Sequence, residues 1–410
     1  MPPTRRSGNW RALLAALVGS ASLLSACGRG DHTAAGPIDL KAGVPVGAVL
    51  ALSGNANVYG QDQRVGLQLA LSAVNGSGGI NGTPLRLAIE DSGSDDPGAN
   101  AAMTLQINRG MLAIIGPTLS QQGFAADPIA QRRGVPVVAP SSTAMGIPEI
   151  GHFISRVSAA STVIAPLSIA KALQLNPGIR RAAVFYAQDD AYSTAETAVF
   201  QKALADKGLK PVTVQRTNLA DSDFQSQISA TLERKPDLIV LSLQGVDGGN
   251  LVRQLRELGY KGTIVVGNGM NTPNIYPICQ KYCDGLLIAQ AYSPELATPA
   301  NRAFVQAFTR AQTSGGKGPL IPPQLTAQAY TALQVVAEAL QRLDQRQPLK
   351  SLTVAAARKA LMDEILSGTY QTPLGMIRFT PQGDVVQQDF FVAQVRMNPG
   401  GRSGRFALLP

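Results

Sequence analysis

Hydroxyl residues set just past short apolar runs are the groups in this chain best placed to do chemistry. Ala113-Ile114-Ile115 breaks at Gly116-Pro117 and leads through a hydroxyl residue into a helical stretch. Pro136-Val137-Val138 breaks at Pro140 into Ser141-Ser142-Thr143. Two buried parallel strands that end in this way open the carboxyl-end crevice where α/β sheets hold ligands. Hydroxyls and free backbone N–H groups at the helix starts that follow suit an anionic group such as a carboxylate. That is the chemistry of binding. Groups for covalent catalysis are scarce: the sequence has two histidines, His32 and His152, with no Gly-x-Ser-x-Gly elbow and no Walker A loop. The glycine-rich run Gly76 to Gly82 follows a helix and not a strand, and its spacing misses the dinucleotide fingerprint. Neither enzymatic activity nor a cofactor is expected.

The three cysteines fall into two groups. Cys27 closes Leu24-Ser25-Ala26-Cys27, after a segment in which Arg5, Arg6 and Arg11 precede an apolar core beginning at Ala12 to Val18. This is the pattern of an export signal, and the apolar run is too short and too rich in Ser and Gly to span a membrane. Leu-Ser-Ala-Cys resembles the bacterial lipobox, whose cysteine becomes the lipidated first residue. Residues 1–26 are therefore expected to be removed, Cys27 to carry the lipid, and residues 27–43 to form a flexible tether. The protein is expected outside the cytoplasm, anchored to a membrane. Cys279 and Cys283 are one helical turn apart in a compartment that permits disulfides, and are expected to bridge locally. With no nearby histidine or further cysteine they do not make a zinc site, and no metal is expected.

The elements that position these groups follow from length and periodicity. A chain of 410 residues is too long for one comfortable core, so two lobes are expected. Its formal charge is +9, and loss of the three signal-segment arginines leaves +6. The basic residues are scattered and only 5% of residues are aromatic, which excludes a clustered nucleic-acid surface. From Val44 onward strand and helix alternate. Strands are expected at Val44 to Leu52 and Leu85 to Glu90, with helices around Val65, Leu69 and Ala73 and from Asp96-Pro97 to Ile107. The two hydroxyl-ended runs give strands three and four. A second series follows Arg156, with strands at Ala182 to Tyr186, Pro211 to Thr217, Leu238 to Leu243, Thr263 to Val266 and Leu286 to Ala289. Such alternation predicts an α/β fold with doubly wound parallel sheets covered on both faces.

From Val44 to Val395 the chain resembles the leucine/isoleucine/valine-binding protein family, the extracytoplasmic substrate-binding components of branched-chain amino-acid ABC transporters. The resemblance rests on Leu52-Ser53-Gly54 with Tyr59-Gly60-Gln61-Asp62, on Val74-Asn75 through Gly82, and on Glu90-Asp91 with Asp96-Pro97. It continues through Ile115-Gly116 with Ser120, Gly134-Val135-Pro136 with Pro140, Asp223-Phe224, the helix Leu251 to Gly259, and Pro373-Leu374-Gly375. Each piece is weak alone, and their common order makes the set specific. The resemblance implies a type I periplasmic binding protein, with two lobes joined by a three-segment hinge and closing on one small polar ligand. It puts residues 44–156 and 290–376 in the first lobe and 157–289 and 377–410 in the second. The crossings would fall near Ser155-Arg156, Ala289-Gln290 and Ile377-Arg378. Carried over residue by residue, it places the ligand carboxylate near Ser120, Ser141 and Thr143, and covers the ligand with Tyr59 and Tyr192. The implied partners are a permease and an ATPase, reached as a monomer through the lipid anchor. A ligand-binding sensor subunit signalling to a membrane partner is the alternative role.

The departures from the pattern bear on the ligand. Relatives that bind α-amino acids carry an acid just after the strand read here as Thr263 to Val266, paired with the ammonium. This chain has Gly267-Asn268-Gly269-Met270 there, with Gly269 at the acidic position, and Gln244 stands at a familiar aromatic position. An ammonium desolvated without a carboxylate would cost several kcal/mol. Either another acid substitutes, with Asp247 and Glu295 as candidates, or the ligand is an amide or a carboxylate without an ammonium.

Overall fold

The computed structural model describes residues 36–315 and 321–410. The signal segment, Cys27 and the tether up to residue 35 lie outside the described residues. The first sheet is wholly parallel, in the order β2-β1-β3-β4-β5. Its strands are β1 (Val44–Leu50), β2 (Leu85–Asp91), β3 (Ile114–Ile115), β4 (Val137–Ala139) and β5 (Ile154–Arg156), with helices α1 (Asn57–Gly76), α2 (Asp96–Asn108) and α3 (Ser120–Arg132) between them. Alternate residues of each strand feed opposite faces. Val46, Ala48, Leu50, Ile115 and Val138 join one apolar cluster, whereas Val49, Ile114 and Val137 join another beneath α2 and α3. This double burial explains why β1, β3 and β4 read as continuous apolar runs with no polar face, whereas the edge strand β2 is only half-buried and carries Arg86, Glu90 and Asp91.

The second lobe begins with α4 (Ser161–Leu175), β6 (Ala182–Ala187), α5 (Ala191–Asp206), β7 (Pro211–Thr217) and α6 (Gln225–Leu232). It continues with β8 (Leu238–Ser242), α7 (Gly245–Glu257), β9 (Thr263–Val266), the one-turn α8 (Tyr276–Cys279) and β10 (Leu287–Gln290). The chain then returns to the first lobe through α9 (Pro299–Gly315), α10 (Gln324–Arg346), α11 (Val354–Ser367) and a small antiparallel sheet of β11 (Thr369–Thr372), β12 (Gly375–Phe379) and β13 (Val385–Val386). Two last strands, β14 (Phe391–Met397) and β15 (Gly404–Leu408), complete the second sheet in the order β15-β14-β10-β9-β8-β6-β7. The second sheet is therefore mixed and not purely parallel: β14 runs antiparallel to β10, and β15 antiparallel to β14. These closing strands are joined by a short hairpin turn, which permits only the antiparallel pairing.

The crossings between lobes gather around a small cluster of Ala159, Ile164, Ala289 and Ala291, with Val385 and Phe390 packed against it. Ile377 and Phe379 belong to the first-lobe core beside Tyr370 and Leu374. The third crossing thus comes after β12, in the stretch from Thr380 to Phe390, and not at Ile377-Arg378. Arg156 binds the crossings together. Although only 2% exposed, its guanidinium donates from Nε to Asp384 Oδ1 at 2.6 Å and from one terminal nitrogen to the carbonyls of Ser142 and Ala144.

The helix pair that covers the first sheet depends on one glycine. At Gly66 in α1 a Cβ would lie 2.2 Å from the carbonyl oxygen of Thr326 in α10, so the two helices approach at a distance only glycine allows. Gly66→Ala is expected to force them apart and to cost about 1–3 kcal/mol of stability. Chemical denaturation measures this, and an unchanged midpoint would show that the contact yields freely.

Cys279 and Cys283 are both fully buried in the second-lobe core, with Cα atoms 5.3 Å apart. No described helix is long and apolar enough to cross a membrane.

Candidate ligand-binding cleft

The carboxyl ends of the two sheets face each other across one cavity. Tyr59, Ser120, Ser141 and Thr143 line it from the first lobe, and Tyr192, Gln244 and Gly269 from the second. All seven residues singled out in the sequence thus come together. Thr118, Leu119, Leu325 and Asn268 also line it and were not foreseen. Leu325 sits at the start of α10, more than 180 residues downstream of the hydroxyl loop, and no local pattern announces it.

The first-lobe wall is a hydroxyl network on a buried scaffold. Thr118 Oγ accepts from the Ala51 N–H at 3.0 Å and donates to Gln63 Oε1 at 2.6 Å. Gln63 Nε2 donates to Ser141 Oγ at 2.6 Å, and Ser141 Oγ donates to the Thr118 carbonyl. The Ser141 hydroxyl hydrogen is therefore committed within the protein. Ser120 and Thr143 differ from it. Ser120 Oγ accepts a long bond from the Ala144 N–H, 3.3 Å, and keeps its hydrogen, while Thr143 Oγ1 is buried without a partner. Ser120 also opens α3, whose first N–H groups have no partner within the helix. Two hydroxyl donors and a helix start converge where an anion would be held.

The second-lobe wall is aromatic and backed by acids. Tyr192 Oη donates to Glu196 Oε2 at 2.6 Å and accepts from the Gly269 N–H at 2.6 Å. Glu196 Oε1 accepts from the Asn268 N–H. A Cβ at Gly267 would fall 1.8 Å from Glu196 Oε2, so this glycine leaves room for a carboxylate delivered from α5. The loop after β9 carries no acid, and Glu196 reaches the same strand end from the neighbouring helix. Of the two substitutes considered from sequence, Glu295 lies in a different cavity, and Asp247 sits buried in the first turn of α7 with Oδ2 unpartnered. Glu196 was legible in principle: it stands four residues after Tyr192, on the same helix face.

Burial pushes these acids upward. Desolvation raises Glu196 and Asp247 to about 7 and Asp190 to about 6, and the Asp190 charge adds to the rise in the other two. Asp190 Oδ2 accepts from Gln244 Nε2 and from the Ser193 N–H. Among the described residues no ion pair reaches any of the three. Each folded value exceeds the unfolded one, so the native state holds more protons between pH 4 and 7. The stability these groups contribute is full below pH 4 and is lost as pH rises through about 7. Glu196 alone accounts for ~3 kcal/mol of that loss at most. Denaturation at pH 5 and pH 8 is expected to show the protein weaker at the higher pH, with a shallower drop in Glu196→Gln. Equal drops in the two proteins would contradict this.

The lobes are closed on each other. Tyr59 Oη donates to the Gly269 carbonyl at 2.7 Å and accepts from the Gly245 N–H, and Gln324 Nε2 donates to Asn268 Oδ1. The space left is about 30 Å³, well under the roughly 300–1,000 Å³ of small-molecule sites. Entry of a ligand requires these interlobe bonds to open. Among the described residues no group of His, Cys, Asp and Glu could hold a metal ion.

Two α/β lobes closing over a polar cleft define a solute-binding protein. The chain belongs to the periplasmic binding protein family, whose pattern matches residues 43–402. It is 26% identical over 344 residues, 83% of this chain and 87% of the relative, to the leucine-, isoleucine-, valine-, threonine- and alanine-binding protein of Pseudomonas aeruginosa. Its structure is similar to a leucine binding protein from Thermotoga maritima, with a TM-score of 0.76 and 26% identity over 89% of this chain and 98% of the other. It has the same fold as a Rhodopseudomonas palustris solute binding protein in complex with benzoate, with a TM-score of 0.76 and 20% identity over 89% of this chain and 96% of the other. These relatives are binding proteins, and the chain is a binding protein and not an enzyme.

Proposed function

We propose that the protein is the extracytoplasmic substrate-binding lipoprotein of an ABC importer, anchored through Cys27, and that it delivers a small amino acid to a membrane permease. The observation that carries this reading is the polarity of the cleft, with free hydroxyl donors and a helix start on one wall, and on the other Tyr192 and Gln244 backed by the buried acids Glu196 and Asp190. A carboxylate is held by Ser120, Thr143 and backbone N–H groups near Ser141. An ammonium faces the wall behind which Glu196, Asp190 and Asp247 are buried, and Tyr59 and Tyr192 cover the ligand between them. The cleft walls leave only Leu119 and Leu325 as aliphatic surface for the side chain, which supports a short aliphatic one. The amino-acid-binding relatives support the same class, while the benzoate complex marks a carboxylate without an ammonium as the competing one. A thermal-shift panel of aliphatic amino acids, their amides and aromatic acids tests this. Stabilisation by aliphatic amino acids above the others is expected. Stabilisation by aromatic acids alone would overturn the ligand class, and no hit from folded protein would overturn the binding role.

In the exported protein the Cys279–Cys283 pair is oxidised in this reading. Mass spectrometry of non-reduced peptides is expected to find the two joined, and two free thiols would reject the pairing.

A further inference from the structure

The hydroxyl loop of the cleft is held from behind by the crossings. Three successive carbonyls, at Ser142, Thr143 and Ala144, accept from residues 156–161, where the chain leaves the first lobe. Arg156 Nη1 donates to Ser142 and Ala144 at 3.2 and 2.6 Å, and Ser158 Oγ donates to Ser142 at 2.9 Å. The Thr143 carbonyl accepts from the N–H and the Oγ of Ser161, the first residue of α4, at 3.0 and 3.1 Å. A planar trans peptide points its N–H away from its carbonyl. The peptide that Ser161 holds by the Thr143 carbonyl accordingly sends its Ala144 N–H to Ser120 Oγ. One backbone peptide thus stands between the opening helix of the second lobe and a cleft hydroxyl of the first.

Arg156 is in turn oriented by the third crossing. Its Nε donates to Asp384 Oδ1 at 2.6 Å and its backbone N–H to the Gly383 carbonyl at 3.0 Å. Both partners sit on the turn between β12 and β13. Gly383 has a φ of +99°, and a Cβ there would fall 2.3 Å from the Ile154 carbonyl oxygen. The turn therefore seats directly on β5, the strand that carries Arg156. A guanidinium is a rigid planar fork, so fixing Nε on Asp384 also fixes where Nη1 meets the loop.

We propose that Arg156, aimed by Asp384, is a positioning residue for ligand binding. It sets the backbone of Ser142 to Ala144 so that the Ser120 and Thr143 hydroxyls converge on the carboxylate. The inference rests on the reading of the first-lobe wall as a carboxylate site. Arg156 does not line the cleft itself, so a change at Asp384 reaches the ligand only through this chain of hydrogen bonds.

Asp384 is 30% exposed and can be varied without opening the core. Calorimetry with leucine is expected to show Asp384→Ala weaker than the parent by roughly tenfold, the worth of one charged hydrogen bond. Asp384→Asn, which keeps an acceptor for Nε, is expected to restore most of that loss. Added to Ser120→Ala with Thr143→Val, Asp384→Ala should cost less than about threefold more, because there are no hydroxyls left to aim. A merely structural role would add its full factor. Hydrogen exchange in the ligand-free protein gives a readout independent of ligand class. Peptides covering residues 141–146 are expected to exchange faster in Asp384→Ala, with those of β6 and β8 unchanged. If the folded parent binds no leucine, the ligand class falls and the exchange result alone decides the positioning role. Unchanged exchange at residues 141–146, an additive loss of affinity, or an Asp384→Asn variant as weak as Asp384→Ala would overturn the proposal.

Discussion

Ser120→Ala combined with Thr143→Val is expected to weaken amino-acid binding at least tenfold, about 1.4 kcal/mol, while the protein stays folded. These two hydroxyls are the side-chain donors of the first-lobe wall with hydrogens not already committed. Thr143 Oγ1 has no partner, and Ser120 Oγ only accepts. Hydrogen bonds to a charged group contribute about 1.5–3 kcal/mol each, so a tenfold loss is the lower bound for losing both. The stability cost is small by comparison. Thr143→Val preserves shape and removes an unsatisfied buried oxygen, and Ser120→Ala leaves one N–H unpaired, at Ala144, for about 1 kcal/mol. Ser141→Ala is a different case, because it breaks the Gln63–Ser141–Thr118 network and should act on stability. Calorimetry measures the affinity and denaturation the stability. Unchanged affinity in the double variant would place the carboxylate elsewhere.

The second large effect is expected at Glu196. Glu196→Gln keeps the acceptor for Tyr192 Oη and removes the charge proposed to balance an ammonium. Loss of one partner of a desolvated pair costs about 2–5 kcal/mol, so leucine affinity is expected to fall roughly thirtyfold or more. Isocaproate, which is leucine without its ammonium, should bind the variant at least as well as it binds the parent. The pH dependence has the same origin. Burial pushes Glu196 up to about 7, and only its ionised form would balance a cation, so leucine affinity is expected to rise from pH 5.5 to pH 8. Isocaproate affinity lacks that rise. If leucine and isocaproate lose affinity equally in Glu196→Gln, the residue is structural and the ammonium has another partner.

Much of the fold is legible because its strands are short, apolar and punctuated. Val44, Leu85, Ala182, Pro211, Leu238 and Thr263 each open a strand where the run of apolar residues begins. The end of the chain is harder to read. β11 to β15 are antiparallel strands with one polar face, and Ile377 looks like a connector until its packing against Tyr370 is seen. The cleft divides in the same way. Ser120, Ser141 and Thr143 are visible in sequence because they end strands three and four, and local punctuation marks strand ends. Glu196 is only half visible: its spacing to Tyr192 on one helix face can be read along the chain, but its placement is tertiary, the carboxylate lying where a side chain at Gly267 would stand. Arg156 was marked only as a boundary, and its burial against Asp384 and the hydroxyl loop depends on the third crossing.

The central claim is that the interlobe cleft takes one small amino acid, carboxylate toward Ser120 and Thr143. Isothermal titration of the purified protein with leucine, beside the Ser120→Ala/Thr143→Val variant, tests it most directly. The expected result is one equivalent bound by the parent and an affinity at least tenfold weaker in a variant of unchanged fold. Equal binding by the two proteins, or no binding of any aliphatic amino acid by the folded parent, would contradict it.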